Sequence, residues 1–325
     1  MRKERIIIAL IFSFVTLLAL ADTFVVTSQQ QKKITDEAED WIDNMPDGLQ
    51  DKMSDAVNHA LHGFFSEATY FRNIADTVGS SKYRVNIKDI YDMILPARLY
   101  SPQTSQNSEK LPLLIYFHGG GWSLGSLNTS DKFCRALAAG WKLKVISIDY
   151  PLAPEHPYPQ ALLQTEAAVE DIIKNASQIG VDPSEISLGG DGAGGNLALA
   201  VYEKLPASVK IKSLVLYYPL VDINSQIEPN PKRMYGRGYG FDTRLWEAFV
   251  EAYNGKDLTL NKSLPSTLLI APSRDIIIEK ERNFSGIGNI KFVELEGALH
   301  GFISDGHQPT AFQIAVTLTD KFLSK

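Results

Sequence analysis

Two glycine-rich segments, one aspartate and one histidine have the types and spacing to do chemistry in this chain. His118-Gly119-Gly120-Gly121-Trp122 directly follows an apolar run at 113–117. Glycines at the end of a strand let backbone N–H groups approach a substrate oxygen and stabilise the charge that develops on it. Gly190-Asp191-Gly192-Ala193-Gly194-Gly195-Asn196 follows a second apolar run at 186–189 and precedes a helical pattern starting near Ala193. A sharp strand–turn–helix of this kind is where a nucleophile is held at the top of a parallel sheet. Its middle position calls for Ser, Cys or Asp, yet here it is Gly192, which has no side chain to attack with. Taken alone, the segment also fits a phosphate-cradling glycine loop, but no acidic ribose-binding pattern follows at the expected place. Asp275 and His300 each lie just past an apolar run, at 267–271 and 290–295. The chain order of turn, Asp and His is that of an acid–base pair serving a nucleophile.

The elements that would position these residues can be read from periodicity. From residue 110 onward, short runs rich in Leu, Ile and Val (113–117, 145–149, 186–189, 214–218, 267–271, 290–295) alternate with helical patterns. Such runs suit strands buried on both faces, and the alternation implies a mostly parallel sheet covered on both sides. Residues 161–176, with Pro159 near the first turn, and 310–323 are the clearest helices. Residues 83–87 and 93–100 read as an antiparallel strand pair. Helical spacing at 36–44 and 53–64 makes residues 22–82 a helical segment ahead of the main domain at 83–325. Residues 224–240, with two prolines and three glycines, read as a loop near the site, and 243–253 as the helix after it.

Composition sets broad limits. The chain has 325 residues, 44% apolar and 22% charged, with a formal net charge of −6 and no long basic run. That is globular composition and argues against a nucleic-acid partner. Three basic residues within Met1–Arg5 precede an apolar run at 6–20 and the small residues Ala19 and Ala21. This pattern implies a signal peptide at 1–21 and a secreted or periplasmic protein. The competing reading is membrane association through an uncleaved anchor at 6–26, since about 20 apolar residues span a bilayer. Cys134 is the sole cysteine, so no intrachain disulfide forms, and its helical surroundings suit a small buried residue. His59 and His62 have helix spacing for a metal but no evident third ligand, and neither metal nor cofactor is expected.

With these residues in view, a resemblance is plain. His118–Trp122, the segment Asp149-Tyr150-Pro151-Leu152-Ala153-Pro154-Glu155-His156-Pro157-Tyr158-Pro159, the Gly-Asp-x-Ala-Gly-Gly-Asn turn and His300-Gly301-Phe302 resemble the hormone-sensitive-lipase group of α/β-hydrolases. The resemblance covers about residues 83–324. It implies the α/β-hydrolase fold with a helical N-terminal cap, and carboxylic-ester hydrolysis on a small apolar ester or carboxylic-acid ligand. It also implies oxyanion N–H groups from Gly119, Gly120 and Ala193, and a His300 oriented by Asp275. The proline-rich segment around His156 would be structural. Two departures stand out. Gly192 replaces the group's serine, and Asp275-Ile276-Ile277 replaces its frequent Asp-Pro-Leu. Without the serine no acyl-enzyme forms. The chain is then expected to be an inactive or strongly impaired esterase, or a non-catalytic, receptor-like ligand binder on the same scaffold. An active esterase whose serine was exchanged is a third reading. Ser123, Ser126 and Ser187 lie off the turn, and Asp191, one residue before it, should point elsewhere.

Overall fold

The computed structural model describes residues 26–73, 82–103, 110–140, 142–224, 241–304 and 307–325. The expected signal at 1–21, all but the last residue of the alternative anchor at 6–26, and all but the first residue of the 224–240 loop lie outside them. The elements run α1 (Ser28–Asn44), α2 (Leu49–Leu61), α3 (Ser66–Asn73), β1 (Val85–Ile90), β2 (Ala97–Pro102), β3 (Leu111–Phe117) and α4 (Asp131–Gly140). They continue with β4 (Lys144–Ile148), α5 (Gln160–Asn175), β5 (Val181–Asp191), α6 (Ala193–Lys204), β6 (Ser213–Tyr217) and α7 (Thr243–Tyr253). The last four are β7 (Ser266–Arg274), α8 (Ile278–Ser285), β8 (Ile290–Leu299) and α9 (Pro309–Leu323).

The eight strands make one sheet in the order β1-β2-β4-β3-β5-β6-β7-β8. β2 pairs antiparallel with both β1 and β4, and every other neighbour is parallel. The central strands are buried on both faces, as their unbroken Leu, Ile and Val content requires. α5, α6 and α8 cover one face and α4, α9 and α1 the other. Cys134 is buried in α4 as a small apolar residue. The first strand pair is displaced from its expected position. Pro96 has no N–H for a ladder, so pairing on the second strand begins at Ala97. β7 and β8 run to Arg274 and Leu299, past the expected ends at 271 and 295, which brings Asp275 and His300 to the strand termini.

The N-terminal helices divide in two. α1 packs on β8 and α9, where Ile34 and Ala38 are buried, the Thr310 N–H and hydroxyl donate to Glu37, and the Gln308 amide donates to the Ile34 carbonyl. α2 and α3 instead join α7 in a third apolar core that includes Val57, Ala60, Leu245, Phe249 and Trp122. The cover over the C-terminal ends of the strands is thus drawn from two stretches of chain, one of them beyond residue 82. Arg244 of α7 pairs with Asp51 and Asp55 of α2.

Arg72 closes α3 onto the body. Its guanidinium makes a two-pronged pair with Glu155, at 2.7 and 2.9 Å, and donates to the Ser123 and Ala153 carbonyls. Because the pair is mostly shielded from water, removing the arginine leaves partners unmet and costs about 1–3 kcal/mol. Arg72→Ala is therefore expected to lower the urea midpoint and speed limited proteolysis within residues 66–73. Unchanged stability together with unchanged cleavage would show that this clamp holds nothing.

Candidate active site

The turn between β5 and α6 carries the centre of the site. Gly192 has φ 52° and ψ −115°, a conformation that L side chains adopt only under strain. Its N–H donates to the Tyr217 carbonyl, and its own carbonyl accepts from Asn196 and Leu220. A Cβ at this position would lie 3.7 Å from His300 Nε2 and 4.0 Å from the Tyr218 ring, which is ordinary contact with room for a side chain. Three chain segments therefore meet around this point.

His300 follows β8 and Asp275 follows β7, neighbouring parallel strands. His300 Nδ1 is 2.6 Å from Asp275 Oδ2, while Asp275 Oδ1 accepts the Ile277 N–H at 3.1 Å. Asp275 is fully buried, while the His300 side chain is 15% exposed. The carboxylate fixes the proton on Nδ1 and leaves Nε2 basic toward residue 192. Phe241 stacks on the imidazole at 4.4 Å, and Tyr218 lies against it at 4.6 Å. The Asp-Ile-Ile departure leaves this turn intact, with Ile276 and Ile277 buried under the cover. Glu281, buried nearby with neither oxygen hydrogen-bonded, is pushed far above the usual carboxylate range by burial and then by the Asp275 charge.

The glycine loop is held by Asp191. Asp191 Oδ1 accepts the Tyr116 hydroxyl at 2.7 Å and the Gly119 N–H at 3.0 Å. Oδ2 accepts the Ser304 hydroxyl at 2.9 Å and the Tyr218 hydroxyl at 3.4 Å. Burial raises the Asp191 carboxyl, opposed by the hydrogen bonds from Tyr116, Ser304 and Gly119. This corrects the expectation for Gly119, whose N–H is spent on Asp191. Among the described residues, the N–H groups of Gly120, Gly121 and Ala193 meet no acceptor, and all three residues line the cavity. Gly121 must be glycine on two counts: its φ is +58°, and a side chain would enter the Phe249 ring.

The cavity in front of His300 and Gly192 has a volume of about 920 Å³. Met45, Leu49, Met53, Phe71, Leu245 and Phe249 form an apolar wall. Ser123, Ser126 and Ser187 do not line it; Ser187 is tied to Ser213 within the sheet, and the Ser126 oxygen accepts the Asn128 N–H. His59 pairs with Glu67, and His62 with the Asn58 carbonyl. Among the described residues no group of three His, Cys, Asp or Glu side chains is placed to hold a metal. Arg72, Tyr116, Tyr150, Tyr218 and Ser304 were not singled out by sequence reasoning. Each acts across the fold; Tyr116 sits just before the His118 motif, and Tyr150 lies inside the Asp149–Pro159 segment without a role having been read for it.

A family profile for the alpha/beta hydrolase fold matches residues 114–304, more than half of the chain. The chain belongs to the α/β-hydrolase-fold family. Carboxylesterase NlhH of Mycobacterium tuberculosis is 38% identical over 178 residues, 54% of each protein, so the chain spans about half the length of that relative. An arylesterase of Saccharolobus solfataricus is 29% identical over 266 residues, 75% of this chain and 83% of that protein. Among solved structures, carboxyl esterase 2 of Tuber melanosporum superposes with a TM-score of 0.66 at 24% identity, covering 76% of this chain and 88% of its own. The ester-hydrolase EH1AB1 from the Lake Arreo metagenome, in complex with a bipyridine phosphonate derivative, gives 0.68 at 25% identity, covering 89% and 96%. The scaffold of this chain is carboxylesterase-like.

His118 sits beneath the loop. It is fully buried, stacks on Tyr150 at 4.3 Å, and its Nδ1 is 2.8 Å from the Gly119 carbonyl. The Tyr150 hydroxyl donates to the His118 carbonyl at 2.6 Å. Burial pushes the imidazole down to about 4, against an ordinary 6.5. A depressed histidine contributes stability that is complete above pH 6.5 and is lost as pH falls toward 4, about 3 kcal/mol in all. Unfolding free energies of the parent and His118→Gln, measured from pH 7.5 to 4.5, should therefore converge as the medium is acidified. A constant gap between them across that range would refute the assignment.

Proposed function

We propose that this chain binds carboxylic esters, or the acids they yield, in an esterase site whose nucleophile has been replaced by Gly192. One observation carries the reading. The backbone at 192 keeps the strained turn of a nucleophile position, and a side chain there would reach His300 Nε2, itself paired to Asp275. The carboxylesterase-like scaffold and the esterase relatives agree with the substrate class.

The division of roles follows from the geometry. Gly120, Gly121 and Ala193 offer N–H groups to an ester carbonyl oxygen. With a serine at 192, His300 Nε2 would take the hydroxyl proton, the oxygen would attack the carbonyl carbon, and His300⁺ would return the proton to the leaving alcohol. With glycine, His300 has no hydroxyl to activate and no acyl-enzyme forms. The chain as it stands is therefore a binder with at most weak hydrolysis, of water attacking directly. Loss of a serine nucleophile has cost a protease about 10⁶-fold in turnover.

The test is Gly192→Ser with p-nitrophenyl acetate and butyrate. The parent should be near the uncatalysed rate, and the variant should gain at least about 10³-fold in kcat. The variant should also be less stable by about 1–3 kcal/mol, because serine takes on the strain that glycine relieves. Esterase-level turnover by the parent would sink the proposal. So would a folded serine variant with no gain.

A further inference from the structure

The cavity is not uniformly apolar. Besides the apolar wall, Lys82, Tyr83, Lys132, Phe312, Gln313 and Thr129 also line it. Tyr83 and Phe312 stack at 6.3 Å, with the Tyr83 hydroxyl donating to Gln313 at 3.2 Å. The Lys82 ammonium lies 5.3 Å from the Tyr83 ring centre, and the Lys132 ammonium 5.3 Å from that of Phe312. The two cations are thus carried on one aromatic platform. Neither has a carboxylate partner among the described residues. The Thr129 oxygen accepts the Ser126 N–H, leaving its hydroxyl proton to donate.

The charge pattern has a direction. The chain carries a net charge of −6, yet among the described residues the sole acidic one lining the cavity is Asp191, which is buried and already accepts four hydrogen bonds. A neutral ester gains nothing from two ammonium groups at the wall, whereas an anionic group on the ligand does. We propose that the ligand of this site carries, besides its ester or acid group at His300, a second anionic group that sits between Lys82 and Lys132. The class is the half-ester of a dicarboxylic acid, or an ester bearing a phosphate. This rests on the reading of the cavity as an ester site.

The test uses matched ligands on the full chain, titrated calorimetrically at low and moderate salt. Monoethyl adipate is compared with neutral diethyl adipate, and octyl phosphate with octanol. The anionic member of at least one pair should bind about tenfold tighter at low salt, the preference should shrink as salt is added, and the Lys82→Gln/Lys132→Gln double variant should abolish it. Preference in the adipate pair alone assigns a carboxylate, and in the octyl pair alone a phosphate. Equal binding of both members in both pairs, or a preference that survives the double variant, overturns the proposal while leaving the ester site standing. Failure of every ester and alcohol probe to bind overturns both.

Discussion

The site depends on one buried carboxylate. Asp191 gathers donors from four places: Tyr116 on β3, Gly119 at the head of the glycine loop, Tyr218 beyond β6 and Ser304 beyond His300. A buried carboxylate is tolerated only when its lone pairs are met, so each donor is held where the charge requires it. The consequence reaches the chemistry. By taking the Gly119 N–H, Asp191 fixes the start of the loop and leaves the next two N–H groups to the cavity. By taking the Ser304 hydroxyl it also anchors the segment that follows His300. The N–H groups of the glycine loop and the His300 segment are thereby referred to a single residue, itself adjacent to the turn at 192.

Around this anchor the backbone is held in unfavourable conformations. Trp122 and Tyr218 have positive φ, 57° and 37°, although neither is glycine. Such residues persist where packing over-determines them. Trp122 lies flat on Tyr253 at 4.2 Å, and its carbonyl accepts the Ala153 N–H. Tyr218 is caught between Asp191, His300 and Phe302. Gly192, like Gly120 and Gly121 of the glycine loop, is a position of positive φ where the sequence relieves the strain instead of opposing it by packing.

Much of this was legible in the sequence, and what was not has a common cause. Strand–turn–helix signatures are local, so both glycine segments, Asp275 and His300 could be placed at strand ends from hydrophobic runs alone. The sheet and its two helical layers followed from alternation. What failed was whatever depends on partners distant in the chain. Gly119 looked like a free donor because its claimant lies 72 residues away. Arg72 reads as an ordinary helical arginine until α3 is laid against residues 123 and 153–155. The helical segment at 22–82 has one composition but two destinations, because α1 finds β8 and α9 while α2 and α3 find α7. Nothing in local periodicity states which apolar face a helix will meet.

The same geometry explains why position 192 can be glycine in a turn that is otherwise held in place. The turn at 192 is held through its backbone, by Tyr217 on one side and by Asn196 and Leu220 on the other. A side chain there would touch only the edge of His300 and Tyr218 at ordinary contact distance. It faces the cavity as well as Tyr218, and the hydrogen bonds of the turn run through the backbone, so glycine there opens no enclosed void of the kind that destabilises. Asp191, one residue earlier, is the opposite case, since four donors would lose their acceptor with it. Two adjacent positions in one turn thus divide the work. One carries the architecture and tolerates little change, while the other bears only on reactivity, and there glycine removes strain at no cost to packing.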